Sequence, residues 1–459
     1  MLKNRTALRA LALGLCAVLF LGALGGCGNA DTEKPETPTK KATSGETGET
    51  PESGAGSETV KETETEEPKE KSVFDFDGSV SEETLRAYLS RAVTLSGGEM
   101  LSLSKSYAKD FILDVGAKYI ARAATCWSPS AADYSTYNGQ KNFISSVHKK
   151  DPDVVFEACL FECVNKDGIN SIPVPAYVFE AFGKEPEERN FSYEDMIFED
   201  GRYLNQWGTN SSVPDITRLE TRMFFYYRAT KYIDVGYEAF HMGQVNLMGA
   251  KDAGHRRYTE LATMIREYAA RNARRHFVFL NALSHGFLDA DGLLMFDFHM
   301  WPSRLHSDTK DADGNLTASV KLRYVDSIYG DSLGGKTHSG WTCEHLPYLV
   351  ELDNWGAPVN PGVKQEGSIY VWGYDEISWF ANQSDEYRRN FLTHIIDDVR
   401  NVDEDGYFAM PAERVAFILD GEGNRVSYYY YAYDKSAFSK GFGDQSTIKE
   451  VFADRAVGD

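Results

Sequence analysis

Cysteine is scarce in this 459-residue chain, and beyond Cys27 only Cys126, Cys159, Cys163 and Cys343 remain. Four are too few to staple a fold of this length, which excludes a disulfide scaffold. Cys159 and Cys163, if they share a strand, stand about 13 Å apart and cannot pair, since a bridge needs Cα atoms within about 7 Å. No C-x-x-C pair occurs, so a structural zinc site is excluded as well. Basic residues are also short: 48 Lys and Arg face 69 Asp and Glu, a formal net charge of −21. So acidic a surface repels phosphate backbones and removes nucleic acid from the expected partners. No internal repeat of short period is visible.

What is present begins with MLKNRTALRALALGLCAVLFLGALGGC. A basic start (Lys3, Arg5, Arg9) leads into the apolar run Ala10 to Leu24, too short and wrongly flanked for a membrane span, and reads as an export signal over residues 1–26. Leu24-Gly25-Gly26-Cys27 resembles the lipobox of bacterial lipoproteins, which implies a lipidated Cys27 as the first mature residue. An ordinary signal peptide with a chance cysteine, or an N-terminal anchor, is the plainer alternative. Residues 27–72 hold Thr, Glu, Lys, Pro, Gly and Ser with almost no apolar residue, a composition that cannot offset its own ordering entropy. As a flexible tether it would span on the order of 35–40 Å. The expected location is the cell membrane, lipid-anchored, with residues 73–459 folded outside the cytoplasm.

The stretch Gly330 to Thr337, GDSLGGKT, fits the phosphate-loop pattern G-x-x-x-x-G-K-[ST]. That loop works only between a buried strand and a helix whose free N–H groups hold the phosphates. Here His-Ser-Gly-Trp-Thr-Cys-Glu-His-Leu-Pro follows, with two breakers and no helical period. Nucleotide is therefore not an expected ligand, and no cofactor is implied.

Within residues 73–459, apolar runs alternate with helical segments. Strands are expected at Ala92–Ser96, Lys118–Thr125, Asp153–Cys163, Tyr232–Phe240, Phe277–Leu283, Leu293–Phe298, Tyr348–Leu352 and Tyr407–Met410. Helices are expected at Ser81–Ser90, with Ser79 and Glu82 as its capping box, and at Ser104–Val115, Asn142–His148, Ile216–Lys231, Thr259–Arg274 and Asp385–Arg400. Eight strands mostly separated by helices predict an α/β fold of the (β/α)8, TIM-like barrel type. A long insertion follows strand 3, from Asn165 to Pro214. An open doubly wound sheet fits the same alternation. The turn Asp420-Gly-Glu-Gly-Asn and the aromatic run after Val426 read as a C-terminal hairpin, or as the eighth strand itself.

In such a barrel the chemistry sits at the carboxyl ends of the strands. Alternation of side chains puts Glu238 inward at the end of the fourth strand, and Glu351 and Asp353 inward at the end of the seventh. It sends the phenylalanines of the sixth strand outward and Asp297 and His299 inward; Arg122 on the second strand is also expected in the interior, where it would need a carboxylate partner. Glu157 and Glu162 lie five apart, so at most one points inward, and an interior glutamate could simply pair with Arg122. Two carboxyls across one mouth are what glycosidic cleavage requires: one protonates the leaving oxygen, the other attacks or activates water.

These positions resemble the clan A retaining glycoside hydrolases, barrels with an acid/base glutamate ending strand four, a nucleophilic glutamate ending strand seven and an arginine on strand two. The resemblance implies Glu238 as acid/base, Glu351 as nucleophile and Arg122 as its orienting partner, with Asp297, His299, Asp353 and His241 in support. It departs from the clan at Tyr237, where asparagine is usual, and in lacking a tryptophan on the last strand.

Aromatic residues make up 13% of the chain, and those in expected loops offer stacking faces to a sugar. Trp127, Trp355, Trp372 and Trp379 are the candidates, with Gln244 and Asn281, for a saccharide ligand. Two rival readings stand beside the hydrolase. A metal-dependent barrel hydrolase would draw on His241, His285, Asp297, His299 and His306, of which only Asp297-x-His299 has same-face spacing. A non-catalytic glycan-binding lipoprotein would need only the anchor, the tether and an aromatic cleft.

Overall fold

The computed structural model describes residues 72–96, 105–306, 317–354, 375–433 and 441–458. The expected signal and tether, Cys27, Trp355 and Trp372 lie outside the described residues. Every described residue from Val73 onward belongs to one unit. Among the described residues no helix is long and apolar enough to cross a membrane.

Eight parallel strand positions follow one another around the sheet: β1 (Ala92–Leu95), β2 (Tyr119–Ala124), β3 (Val155–Cys159), β4 (Ala239–His241), β5 (Phe279–Ala282), β6 (Phe298–Pro302), β7 (Tyr348–Glu351), and β8 (Gly406–Phe408) running on into β9 (Met410–Leu419). β8 pairs with β7 and β9 pairs with β1, so this last position closes the sheet into a barrel. β10 (Arg425–Tyr431) folds back antiparallel on β9 as the C-terminal hairpin. The insertion after strand 3 holds short helices and a two-stranded ladder pairing Val164–Asn165 with Ser211–Ser212. The architecture is thus the (β/α)8 barrel, with no described helix between β5 and β6 or between β6 and β7.

The helices are α1 (Glu82–Leu89), α2 (Lys105–Val115), α3 (Tyr137–His148), α4 (Leu219–Val235), α5 (Arg256–Asn272), α6 (Glu376–Ala381), α7 (Asp385–Val402) and α8 (Gln445–Asp454). α1 is capped by Ser81, not by Ser79: the Ser81 hydroxyl accepts from the Thr84 N–H. Inside the barrel, Ala92, Tyr119, Val155, Phe279, Phe298 and Leu349 pack with Phe74, Leu85 and Tyr88 from the segment before β1. That segment packs against the amino end of the barrel interior. The other strand faces, Ile120, Phe156, Phe240, Leu280 and Val350 among them, pack against the helical layer.

Two elements run differently from their sequence pattern. α4 continues to Val235 and ends at Gly236, whose φ of 114° is the left-handed cap that glycine tolerates. Tyr232, Ile233 and Val235 are therefore helix residues on a buried face, and the fourth strand begins only at Ala239. β6 starts at Phe298, where the expected strand Leu293–Phe298 ends, because Leu294 bridges Leu288 in a turn. Both shifts move polar residues to other places.

Candidate active site at the carboxyl end

Glu351, the last residue of β7, is 0% exposed and lies between two guanidinium groups. Arg122 from β2 donates to Oε1, and Arg414 from β9 donates to Oε2 at 2.5 Å. Asp353, two residues on and on the same face, has its Oδ1 4.0 Å from Arg414 Nη2. Burial first, and then the charge of Glu351, raise the Asp353 carboxyl above its usual range.

Both arginines reach this point through irregular backbone. The β2–β3 register slips between Ile120 and Ala124, and Arg122 stands at φ 59°. The β1–β9 register slips where Thr94 pairs with Pro411 and Leu95 with Glu413, one position before Arg414. A bulge re-aims a side chain that plain alternation sends elsewhere.

Below Glu351 lies a buried polar chain. Glu157 on β3 accepts from Tyr119 Oη at 2.6 Å, Asn281 Nδ2 at 2.7 Å and the Arg122 N–H at 2.9 Å. Burial pushes Glu157 up, and these donors oppose it. Asn281 Oδ1 meets His241 Nδ1 at 2.7 Å, and burial with the Arg122 charge lowers His241 to about 3, so its ring is neutral. Asn281 is 0% exposed and fully engaged, which removes it from direct ligand contact in this state.

Beside Arg122 runs an aromatic wall. Its guanidinium lies 5.6 Å from the Phe161 ring, Phe161 packs on Trp127 at 5.0 Å, and Trp127 packs on Trp207 at 5.2 Å. Trp127 and Trp207 are half-buried. Glu162, next along, accepts from the Gln244 N–H at 2.9 Å and Gln244 Nε2 at 2.8 Å, and burial raises its carboxyl. A carboxyl thus stands at the end of strand four, but it arrives from the strand-three loop.

Glu238 is elsewhere. It precedes β4, at the amino end, where its N–H donates to the Phe156 carbonyl and its Oε2 lies 2.6 Å from Arg274 Nη2. Arg275 at 3.8 Å and His148 at 3.9 Å complete that cluster. Glu238 and Glu351 stand at opposite ends of the barrel, so the expected pair cannot act on one bond. Asp297 and His299 face the helical layer, because Phe298 and Met300 take the interior. Asp297 lies 3.8 Å from Arg266 of α5, and His299, lowered to about 3 by burial and by His285, is closed over. Trp379 is 2% exposed on α6 and packs on Tyr387 and Phe391, which removes it as a stacking face. Among the described residues, no three His, Cys, Asp or Glu are grouped to hold a metal ion.

Gly330 to Thr337 forms a loop and half of a two-stranded ladder, Gly335–Lys336 with Thr342–Cys343, and no helix follows it. Sequence reasoning missed Arg414, since the eighth strand was ended at Met410. Continuing through Pro411-Ala-Glu-Arg would have brought it into view.

No protein-family model and no curated protein sequence matches this chain. Similar solved structures are glycoside hydrolases. An α-galactosidase from Thermus thermophilus is 12% identical over 48% of this chain and 45% of its own, with a TM-score of 0.26. The Nostoc punctiforme debranching enzyme is 10% identical over 75% of this chain and 70% of its own, with a TM-score of 0.34. The Bacillus licheniformis trehalose-6-phosphate hydrolase is 10% identical over 71% and 64%, with a TM-score of 0.36. The chain thus spans less than half the length of the galactosidase it matches. Likeness at this level carries no argument about activity, which rests on the site's own chemistry.

Proposed function

We propose that residues 73–459 form a glycoside-hydrolase-like barrel that cleaves an oligo- or polysaccharide with two carboxyl groups at its carboxyl end. The observation that carries this reading is the pairing of Glu351, bonded by two guanidinium groups, with Asp353, whose carboxyl is raised by burial and by Glu351. A carboxyl raised in this way holds the proton that a general acid gives up. Asp353 follows Glu351 by two residues, and both carboxyls face Arg414 at the end of β7. Asp353 supplies the proton to the leaving oxygen, and Glu351 acts as the nucleophile or as the base for water. Trp127 and Trp207 offer stacking faces along the same rim. The signal-like residues 1–26 and Leu24-Gly25-Gly26-Cys27 support export and lipid anchoring outside the cytoplasm.

One observation favours a second reading, a glycan-binding lipoprotein: Glu351 is fully buried with both oxygens engaged. The deciding experiment measures release of reducing ends from a panel of oligosaccharides by wild type, Glu351→Gln and Asp353→Asn, with calorimetric binding in parallel. Turnover lost in each variant while binding persists supports hydrolysis. Binding without turnover in the wild type assigns the barrel to capture.

A further inference from the structure

We infer that Glu157 is the positioning residue of this site: it clamps the bulge in β2 and so aims the Arg122 guanidinium at Glu351. The inference rests on the reading of Glu351 as the working carboxyl, and its geometry is independent of that reading. Between Ile120, paired with Phe156, and Ala124, paired with Ala158, β2 places three residues opposite the single residue Glu157. The extra length leaves Arg122 at φ 59°, a region that non-glycine residues rarely occupy and that persists only where the surroundings hold it.

Glu157 is what holds it. The peptide N–H of Arg122 donates to the Glu157 side chain, at Oε1 and 2.9 Å. The other oxygen, Oε2, is fixed by Tyr119 Oη at 2.6 Å and Asn281 Nδ2 at 2.7 Å, so the carboxyl cannot swing away. Glu157 is 0% exposed, with its two oxygens held by Tyr119, Asn281 and the Arg122 N–H. It therefore touches no substrate and acts through Arg122. Plain alternation along β2, with Tyr119 and Ala121 inward, would turn Arg122 toward the helices; the clamped bulge reverses that direction.

The test reads the Arg122 Nε–Hε group by nuclear magnetic resonance in the full chain. In wild type this proton is bonded to Glu351 and is expected to exchange slowly. In Glu157→Gln the amide keeps one acceptor oxygen for three donors, and exchange of the Arg122 Nε–Hε is expected to rise about tenfold, the effect of losing a hydrogen bond to a charged group. Tyr119→Phe removes only one donor from Oε2 and is expected to give a smaller rise in the same direction, which decides the matter if Glu157→Gln fails to fold. Glu238→Gln, at the opposite end, serves as the control: it perturbs a buried ion cluster and leaves the Arg122 signal unchanged. An unchanged Arg122 signal in folded Glu157→Gln or Tyr119→Phe overturns the inference, as does an equal response in Glu238→Gln. If the signal responds as expected while wild type cleaves no saccharide, the clamp stands and the hydrolytic reading falls.

Discussion

Replacing Glu351 by Gln removes one negative charge from between two guanidinium groups, and the structure sets the size of the effect. The Glu351 side chain is 0% exposed, that of Arg414 1% and that of Arg122 11%, so solvent reaches neither partner freely. Breaking a buried pair by deleting one member costs about 3–5 kcal/mol, because it leaves the other charge uncompensated. Among the described residues Arg414 retains only the longer ion pair to Asp353 at 4.0 Å, which does not replace a hydrogen bond. Against a whole-domain stability of about 5–15 kcal/mol, such a loss is large. Guanidinium unfolding followed by tryptophan fluorescence should show a lower midpoint with an unchanged slope, since the buried surface is the same. Adding Arg414→Gln to the Glu351→Gln background should then cost less than Arg414→Gln alone, with a coupling of about 0.5–3 kcal/mol. A loss below about 1 kcal/mol, or simple additivity, would refute the account of Glu351 as the centre of a dry ion triad.

Two further predictions concern neighbouring elements. Burial raises Asp375 and Glu376, beside Asp353, to about 7. Their folded values exceed the unfolded ones, so the stability they contribute is complete below about pH 4 and is lost as pH rises through 7. Asp375→Asn keeps the cap on the Ser378 N–H and removes the titration; its melting temperature relative to wild type should rise between pH 5 and pH 8, and a constant difference would contradict the argument. At Gly243, φ is 65° and an added Cβ would lie 2.0 Å from Glu162 Oε2. Gly183, at φ 64°, has nothing within 4 Å of an added Cβ. Gly183→Ala should lose only backbone strain of about 1 kcal/mol, and Gly243→Ala about 1–3 kcal/mol more; equal losses in chemical denaturation would show that Glu162 yields freely.

The order of the strands was legible because a barrel of this kind is built from local units. Each run such as Val155–Cys159 or Tyr348–Glu351 carries enough apolar residues to mark itself, and successive parallel strands joined by right-handed crossovers lie side by side. Glu351 and Asp353 were legible for the same reason: Val350 and Leu352 pack outward and leave the polar residues of β7 facing in. Glu238 was misread because Tyr232-Ile-Asp-Val alternates as a strand would, while the contacts that decide it lie in the helical layer. Four more residues of helix, ended by Gly236, move Glu238 from the carboxyl to the amino end.

The sequence by itself determined the fold class, the polar identity of the strand-seven end, the acidic character of the chain and the failure of GDSLGGKT as a phosphate loop. These depend on composition, period and nearest neighbours along the chain. Only the tertiary structure decided which carboxyl meets which guanidinium. Arg122 and Arg414 turn toward Glu351 at register slips, and a slip is a property of two strands together that neither strand's residues record alone.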